Sequence, residues 1–182
     1  MPFVIIGGLI AIFVIWGIGV QRRLTAMDEN VNNAMSQIGV QLSSRFDVLA
    51  ALLELEKEYA AHESQTLVET IKLRRSAITA ASAPNDVLKQ ERVISEALGR
   101  ISMVAEQYPE LKADESYKRC MDAVDSYEKM VRTSRLIYND SVTRLNRELR
   151  TFPTSLLGGL LEFRPRDYLV AVEEWADMPG IK

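Results

Sequence analysis

The chain has 182 residues, 47% hydrophobic and 26% charged, with one cysteine, one histidine and a formal net charge of −3. One cysteine excludes an intrachain disulfide framework, one histidine excludes most zinc and di-iron centres, and mild acidity excludes a generally basic nucleic-acid binder. The apolar fraction excludes a disordered chain and allows a packed core.

The first element is the stretch Phe3 to Val20, eighteen residues without a charge, followed at once by Gln21, Arg22 and Arg23. As a helix it spans about 27 Å, close to the hydrocarbon thickness of a bilayer. Trp16 lies near the end that meets Arg22 and Arg23, where an interfacial aromatic belongs. A cleaved signal peptide would carry a basic start, which Met1-Pro2 lacks, although Gly17-Ile18-Gly19 passes as a cleavage site. A globular core helix would carry a polar face. An uncleaved anchor over residues 1–21 is therefore the expectation, with Phe3, Trp16, Val20, Arg22 and Arg23 setting its place among the membrane lipids. Arg22 and Arg23 put the N-terminus outside and the rest of the chain in the cytoplasm, at the cell (inner) membrane.

From residue 22 to residue 153 the apolar spacing is helical almost throughout. Met27, Val31, Ala34, Ile38, Leu42, Leu49, Leu53 and Tyr59 make one stripe, which Leu67, Ile71 and Ile78 continue to about Ala81. Pro84 breaks it and Asn85 is placed to cap the next helix. Val87, Ile94, Leu98, Ile101, Ala105 and Tyr108 form a second stripe, ended by Pro109. Tyr117, Val124, Val131, Tyr138, Leu145 and Phe152 form a third, ended at Phe152-Pro153. The fold class is thus all-α: a transmembrane helix followed by an antiparallel up-and-down four-helix bundle, with a break near Ala60 to Ser64. The alternative is three long helices, the first continuous with the span.

The tail, 154–182, is apolar around Gly158-Gly159 and then carries Arg164, Pro165 and Arg166. It reads either as an interfacial segment or as a short helix capping the bundle. Its last residues look frayed, with Trp175 as an anchor.

Reactive chemistry is sparse. There is no phosphate-cradling glycine loop and no nucleophile elbow. His62, the only imidazole, shares a helical face with Glu58 and neighbours Glu63, a weak cation site at most. A bundle di-metal centre needs two Glu-x-x-His pairs. Lys72, Arg74 and Arg75 make a small basic cluster, either solvated or facing lipid. Arg45 and Asp47 interrupt the first stripe and suit ion pairs to another helix. Asn139 and Asn146, seven apart near Arg135 and Tyr138, suit interhelical hydrogen bonds.

Those polar positions carry a family resemblance. Ser36-Gln37-Ile38-Gly39-Val40-Gln41-Leu42, then Arg45-Phe46-Asp47, resembles the signature of the LemA family, and Tyr59-Ala60-Ala61-His62-Glu63 follows it. Leu98-Gly99 with Tyr108 to Ala113 is similar to its central motif. Arg135 to Asn139, Val142, Asn146 and Phe152-Pro153 match its last-helix pattern, so the resemblance runs from residue 1 to about 165. Gln37, Gln41, Arg45, Asp47, Arg135, Tyr138, Asn139 and Asn146 are its structural polar positions. This chain departs from the family with Met35, Gly39 and Ser43-Ser44 where Trp, an acidic residue and a basic pair are usual, and in lacking an Ile-Pro-Asn-Leu-Val run after Asp47. From about Asp167 no counterpart is evident.

The resemblance implies a bacterial single-pass membrane protein with a helical bundle and no established enzymatic activity. One branch of the family is associated with magnetosome membranes, and no residue here places this chain in it. The expected function is a membrane-anchored scaffold, without catalysis or cofactor, that presents helical faces to a protein partner or a second copy. A lipid-organising module and, behind it, a metal-dependent enzyme centred on His62 are the alternatives.

Overall fold

The computed structural model describes residues 2–59, 71 and 75–170. These form five helices and no strand: α1 (Pro2–Lys57), α2 (Pro84–Gln107), α3 (Pro109–Ala113), α4 (Glu115–Arg150) and α5 (Thr154–Leu160). The chain is all-helical, with a long apolar helix at its start.

α1 is 56 residues long without interruption, about 84 Å of helix. No proline lies between Val20 and Lys57, and Gln21, Arg22, Arg23 and Leu24 are good helix formers, so nothing ends the span where the charges begin. The first bundle helix is accordingly an extension of the apolar span and not a separate element, as in the alternative. It ends at Lys57, however, and residues 75–83 are not helical, so the stripe does not continue as helix through Ile78 to Ala81. The break expected near Ala60 to Ser64 lies outside the described residues.

The two halves of α1 differ in environment. Its most apolar window has a mean hydropathy of 2.7, yet only 6% of it is buried. Burial starts at Trp16, Gly17 and Val20, which are half-covered, and continues through Leu24, Val31, Ile38, Leu42 and Leu49. Each of these large side chains, fully withdrawn from water, contributes about 1.5–3 kcal/mol.

α4 returns antiparallel along α1. Its residues meet α1 in reverse order: Tyr117 lies in the field of Glu56, Glu128 pairs with Arg45, and Glu148 pairs with Arg23. Tyr117, Val124, Val131, Tyr138 and Leu145, seven apart, are all buried on this seam. Phe152 does not join them: α4 ends at Arg150, the chain turns, and Phe152 is 76% exposed.

α2 starts two residues earlier than a cap at Asn85 implies. Pro84 is its first helical residue, where a missing N–H costs nothing, so Ala83 and not Asn85 is the cap. Asp86 accepts a hydrogen bond from the Ala83 N–H at 3.2 Å, which satisfies the cap residue's own amide, while alanine offers no side-chain acceptor to the first turn. The segment before α2 lies on α1, with the Ile78 carbonyl against Gly39 and Arg75 against Asp47. The third helix of the sequence reading is unbroken as α4, but a short α3 precedes it. Between them Asp114 leaves the helix to cap α4, accepting from the N–H groups of Ser116 (2.6 Å) and Tyr117 (3.4 Å).

After α4 the chain turns into α5, which packs on both α1 and α4. α5 ends in a Schellman turn. The Phe163 N–H donates to Gly158 O and the Glu162 N–H to Gly159 O, with Glu162 at φ 60° where glycine is usual. Residues 163–170 then run without helix to Leu169, which is buried in the core.

Candidate functional site

Two polar layers cross the helices, one beside the end of the apolar span and one deeper in the protein. In the span-proximal layer α4 holds the extended segment 166–169 by its backbone. Asn146 Nδ2 donates to Arg166 O while its Oδ1 accepts from Arg166 N, both at 2.9 Å. One turn pair earlier, Asn139 Nδ2 donates to Leu169 O at 3.0 Å and its Oδ1 accepts from Leu169 N at 2.9 Å. Between them the Tyr138 hydroxyl donates to Asp167 O at 2.9 Å.

The register has a geometric cause. Seven helical residues advance about 10.5 Å and three extended residues about 10 Å, so two asparagines seven apart meet backbone amides three apart. The sequence expectation was helix-to-helix hydrogen bonds; both side-chain amides instead satisfy a strap that has no ladder of its own.

The strap also reaches α1. Arg166 donates from Nε (3.0 Å) and Nη2 (2.9 Å) to Asp28 Oδ1, and from Nη2 to Asp28 Oδ2 (3.1 Å) and Asn32 Oδ1 (3.4 Å). Arg166 therefore bridges α1 and α4, its backbone on one and its guanidinium on the other. Burial pushes the Tyr138 phenol above its ordinary range, opposed by the nearby Arg166 charge.

The deeper layer is ionic. Arg45 is buried, its side chain 6% exposed, and donates from Nη2 to Glu128 at 2.8 Å. Glu128 also takes Arg132 at 3.3 Å, and Arg135 grips both Glu91 oxygens at 3.2 Å. Desolvation lowers the Arg45 pKa against the pull of Glu128, Glu91 and Asp125. Desolvation likewise raises that of Glu91 against Arg135 and Arg45. Three helices are pinned here by charges that cost energy to bury and complete one another.

The remaining expected residues are placed as follows. Gln37 is exposed and Gln41 half-buried. Asp47 faces outward and pairs with Arg75 at 3.0 Å, so Arg75 is neither simply solvated nor free for lipid: it also donates to Ser43 at 2.7 Å and lies 5.4 Å over the Phe46 ring. Phe3 and Arg22 are exposed, Val20 is half-buried, Trp16 contacts the Phe13 ring at 5.6 Å, and Arg23 binds Glu148 at 3.1 Å. His62, Glu63, Lys72, Arg74 and Trp175 lie outside the described residues.

Sequence reasoning missed Asp28, Asn32, Glu91 and Glu128, and it read Arg166 as part of an interfacial or capping tail, whereas its guanidinium pairs with Asp28. Only Asp28 and Asn32, four apart on one helical face, left a signal. Among the described residues no three His, Cys, Asp or Glu side chains come together in a way that could hold a metal ion. What both layers do chemically is fix elements in place: apart from Arg45 Nε, their buried donors are spent within the layers.

The LemA family model matches residues 34–182. The match thus runs through the stretch after Asp167, where the sequence shows no evident counterpart. Two curated relatives are similar, magnetosome proteins MamQ 1 and MamQ 2 of Paramagnetospirillum magneticum (strain ATCC 700264 / AMB-1). Each is 24% identical over 172 residues, covering 81% of this chain and 63% of the relative. The chain therefore spans less than two thirds of the length of these relatives.

Proposed function

This chain belongs to the LemA family, and we propose that it is a membrane-anchored helical scaffold without catalytic activity, presenting helical faces to a protein partner or a second copy. One observation carries the reading: the apolar exposed half and the buried half of α1 are a single helix. A load on the bundle is thereby passed to the anchor without a hinge. In this reading residues 1–21 anchor, residues 22–153 form the bundle, and residues 154–182 are a tail that the strap ties down in part. Arg22 and Arg23 favour the bundle in the cytoplasm at the inner membrane.

What supports a surface role is the use of the polar groups. The buried charges are engaged within the protein, whereas Val40, Met103, Met130, Leu136 and Ile137 are apolar and exposed on three helices. Such residues are where another helix can gain burial.

The test is extraction of the full chain in mild detergent, crosslinking, and mass spectrometry of what is joined. The expected result is a reproducible partner or homo-oligomer whose crosslinks map to these faces. A strictly monomeric species with nothing attached overturns the reading.

A further inference from the structure

The corner between α4 and α5 places three large apolar side chains in solvent beside the end of the span. Phe152, Leu156 and Leu160 are 76%, 69% and 78% exposed. Leu156 and Leu160, four apart, share one face of α5, while Thr154 and Gly158 on the opposite face are buried.

The height of this corner along α1 is fixed by contacts. A Cβ built at Gly17 would lie 4.0 Å from Leu157 Cδ1, and one built at Gly158 would lie 4.0 Å from Leu24 Cδ1 and 2.8 Å from Leu149 Cδ2. Glu148 ties the same corner down, accepting from Arg23 at 3.1 Å and from the Thr154 hydroxyl at 3.2 Å. Gly17 is three residues before Val20, so Leu157 touches α1 about 4.5 Å inside the end of the charge-free stretch. If that stretch occupies the hydrocarbon, α5 cannot be in bulk water.

The flanking charges agree with that depth. Arg22, Arg147, Arg150 and Arg164 are exposed around the corner, at the level where lipid phosphates lie. The geometry points to a second membrane contact: we propose that Phe152, Leu156 and Leu160 insert into the leaflet beside the span, at the boundary of headgroups and acyl chains, with the arginine collar on anionic phosphates. The proposal rests on the reading of α1 as a membrane span. The occupant is lipid because Leu157, next to Leu156, lies against Gly17 inside the span, so the corner must share the span's surroundings.

The experiment uses the full chain reconstituted in vesicles of phosphatidylcholine and phosphatidylglycerol. In a Cys120→Ser background, an environment-sensitive fluorophore is attached at Leu156→Cys, Leu160→Cys, Ile12→Cys or Met103→Cys. Each is exposed to aqueous iodide and to lipids carrying a shallow or a deep nitroxide quencher. Labels at 156 and 160 are expected to be quenched by the shallow nitroxide and to respond to iodide about fivefold less than the label at 103. The label at 12 is expected to answer to the deep nitroxide.

Iodide quenching at 156 and 160 equal to that at 103, with 12 still quenched by lipid, overturns the corner alone. Shielding of 156 and 160 from both quenchers overturns it in favour of a protein, including a second copy, as the occupant. Iodide access at 12 overturns the span reading and the corner with it. Leu160→Asp, which changes one exposed side chain, gives a second readout: the shallow quenching at 156 is expected to fall while circular dichroism stays unchanged, and undiminished quenching at 156 counts against insertion.

Discussion

Asn146 reads the backbone of Arg166 in both directions, donating to its carbonyl and accepting from its N–H at 2.9 Å each. A side-chain amide here replaces the strand partner that an extended segment otherwise needs. Asn146→Ala removes both bonds and frees the strap from α4 at that residue. The cost is about 1–2 kcal/mol, because the released amide regains water instead of staying buried and unpaired. Asn146→Asp keeps the acceptor for the Arg166 N–H but sets a carboxylate against its carbonyl, so an intermediate loss is expected. Hydrogen exchange of the Arg166 and Leu169 amides checks this: protection is expected to fall in the order wild type, Asp, Ala. Unchanged protection in the alanine variant would show that Asn139, Tyr138 and the Arg166–Asp28 pair hold the strap without Asn146.

Two glycines in helices are expected to respond with opposite signs. At Gly39 an added Cβ would fall 2.2 Å from the Ile78 carbonyl oxygen, a backbone atom that cannot swing aside. Gly39→Ala therefore forces the segment before α2 away from α1, costing about 1–3 kcal/mol. At Gly99, within α2, nothing lies within 4 Å of the added carbon. Gly99→Ala gains the ordinary helical advantage of about 0.5–1 kcal/mol. Thermal unfolding in detergent, followed by circular dichroism, is expected to move down for the first and up for the second.

Gly39 also marks how far the sequence could be read. Apolar spacing placed α1, α2 and α4, because a helix in water must bury one stripe and the stripe is written at three-to-four-residue intervals. The apolar half of α1 was legible for a simpler reason: a run without charges is visible without any partner. What local spacing does not encode is the destination of a polar side chain. Arg45 suited an ion pair, but Glu128 as its partner depends on the antiparallel register of α1 and α4, set by packing along the whole helix. Asn139 and Asn146 pointed to each other's side of α4, while their ligands come from a segment with no periodicity. Asp114 was invisible as a cap because the Tyr108-Pro109 stop and the start of α4 lie so close together that α3 fits between them.

Two acids are expected to bend the pH dependence of stability in opposite ways. Hydrogen bonds from the Ser116 and Tyr117 amides, Ser116 foremost, hold the Asp114 pKa below its ordinary value. Its stabilisation is present above the unfolded value of about 3.9 and is lost as pH falls through the lower folded one. Asp114→Asn, a cap that does not titrate, is expected to flatten this acid limb. Burial raises the Glu91 pKa above its ordinary value despite Arg135. Its contribution is full below the unfolded value and is lost as pH rises through the folded one. Glu91→Gln is expected to remove that decline on the neutral side. Urea unfolding of the full chain in detergent from acid to neutral pH separates the two; a steeper acid limb in Asp114→Asn contradicts the assignment.

The pairing of Arg45 with Glu128 makes a prediction about which partner matters. Arg45 is almost wholly enclosed, whereas the Glu128 side chain is 39% exposed and keeps Arg132 at 3.3 Å. Removing the acid strands a buried guanidinium that already lacks a partner at Nε. Removing the arginine leaves a carboxylate that is hydrated and still paired. Glu128→Ala is therefore expected to cost about 2–3 kcal/mol, and Arg45→Met, which keeps the volume and drops the charge, less than about 1 kcal/mol. The double variant is expected to recover much of the Glu128→Ala loss, since no buried charge is then left unpaired. Urea midpoints of the three variants decide it. If Arg45→Met is the most destabilised of the three, the ion pair is a net source of stability, and the cost of burying Arg45 has been overestimated.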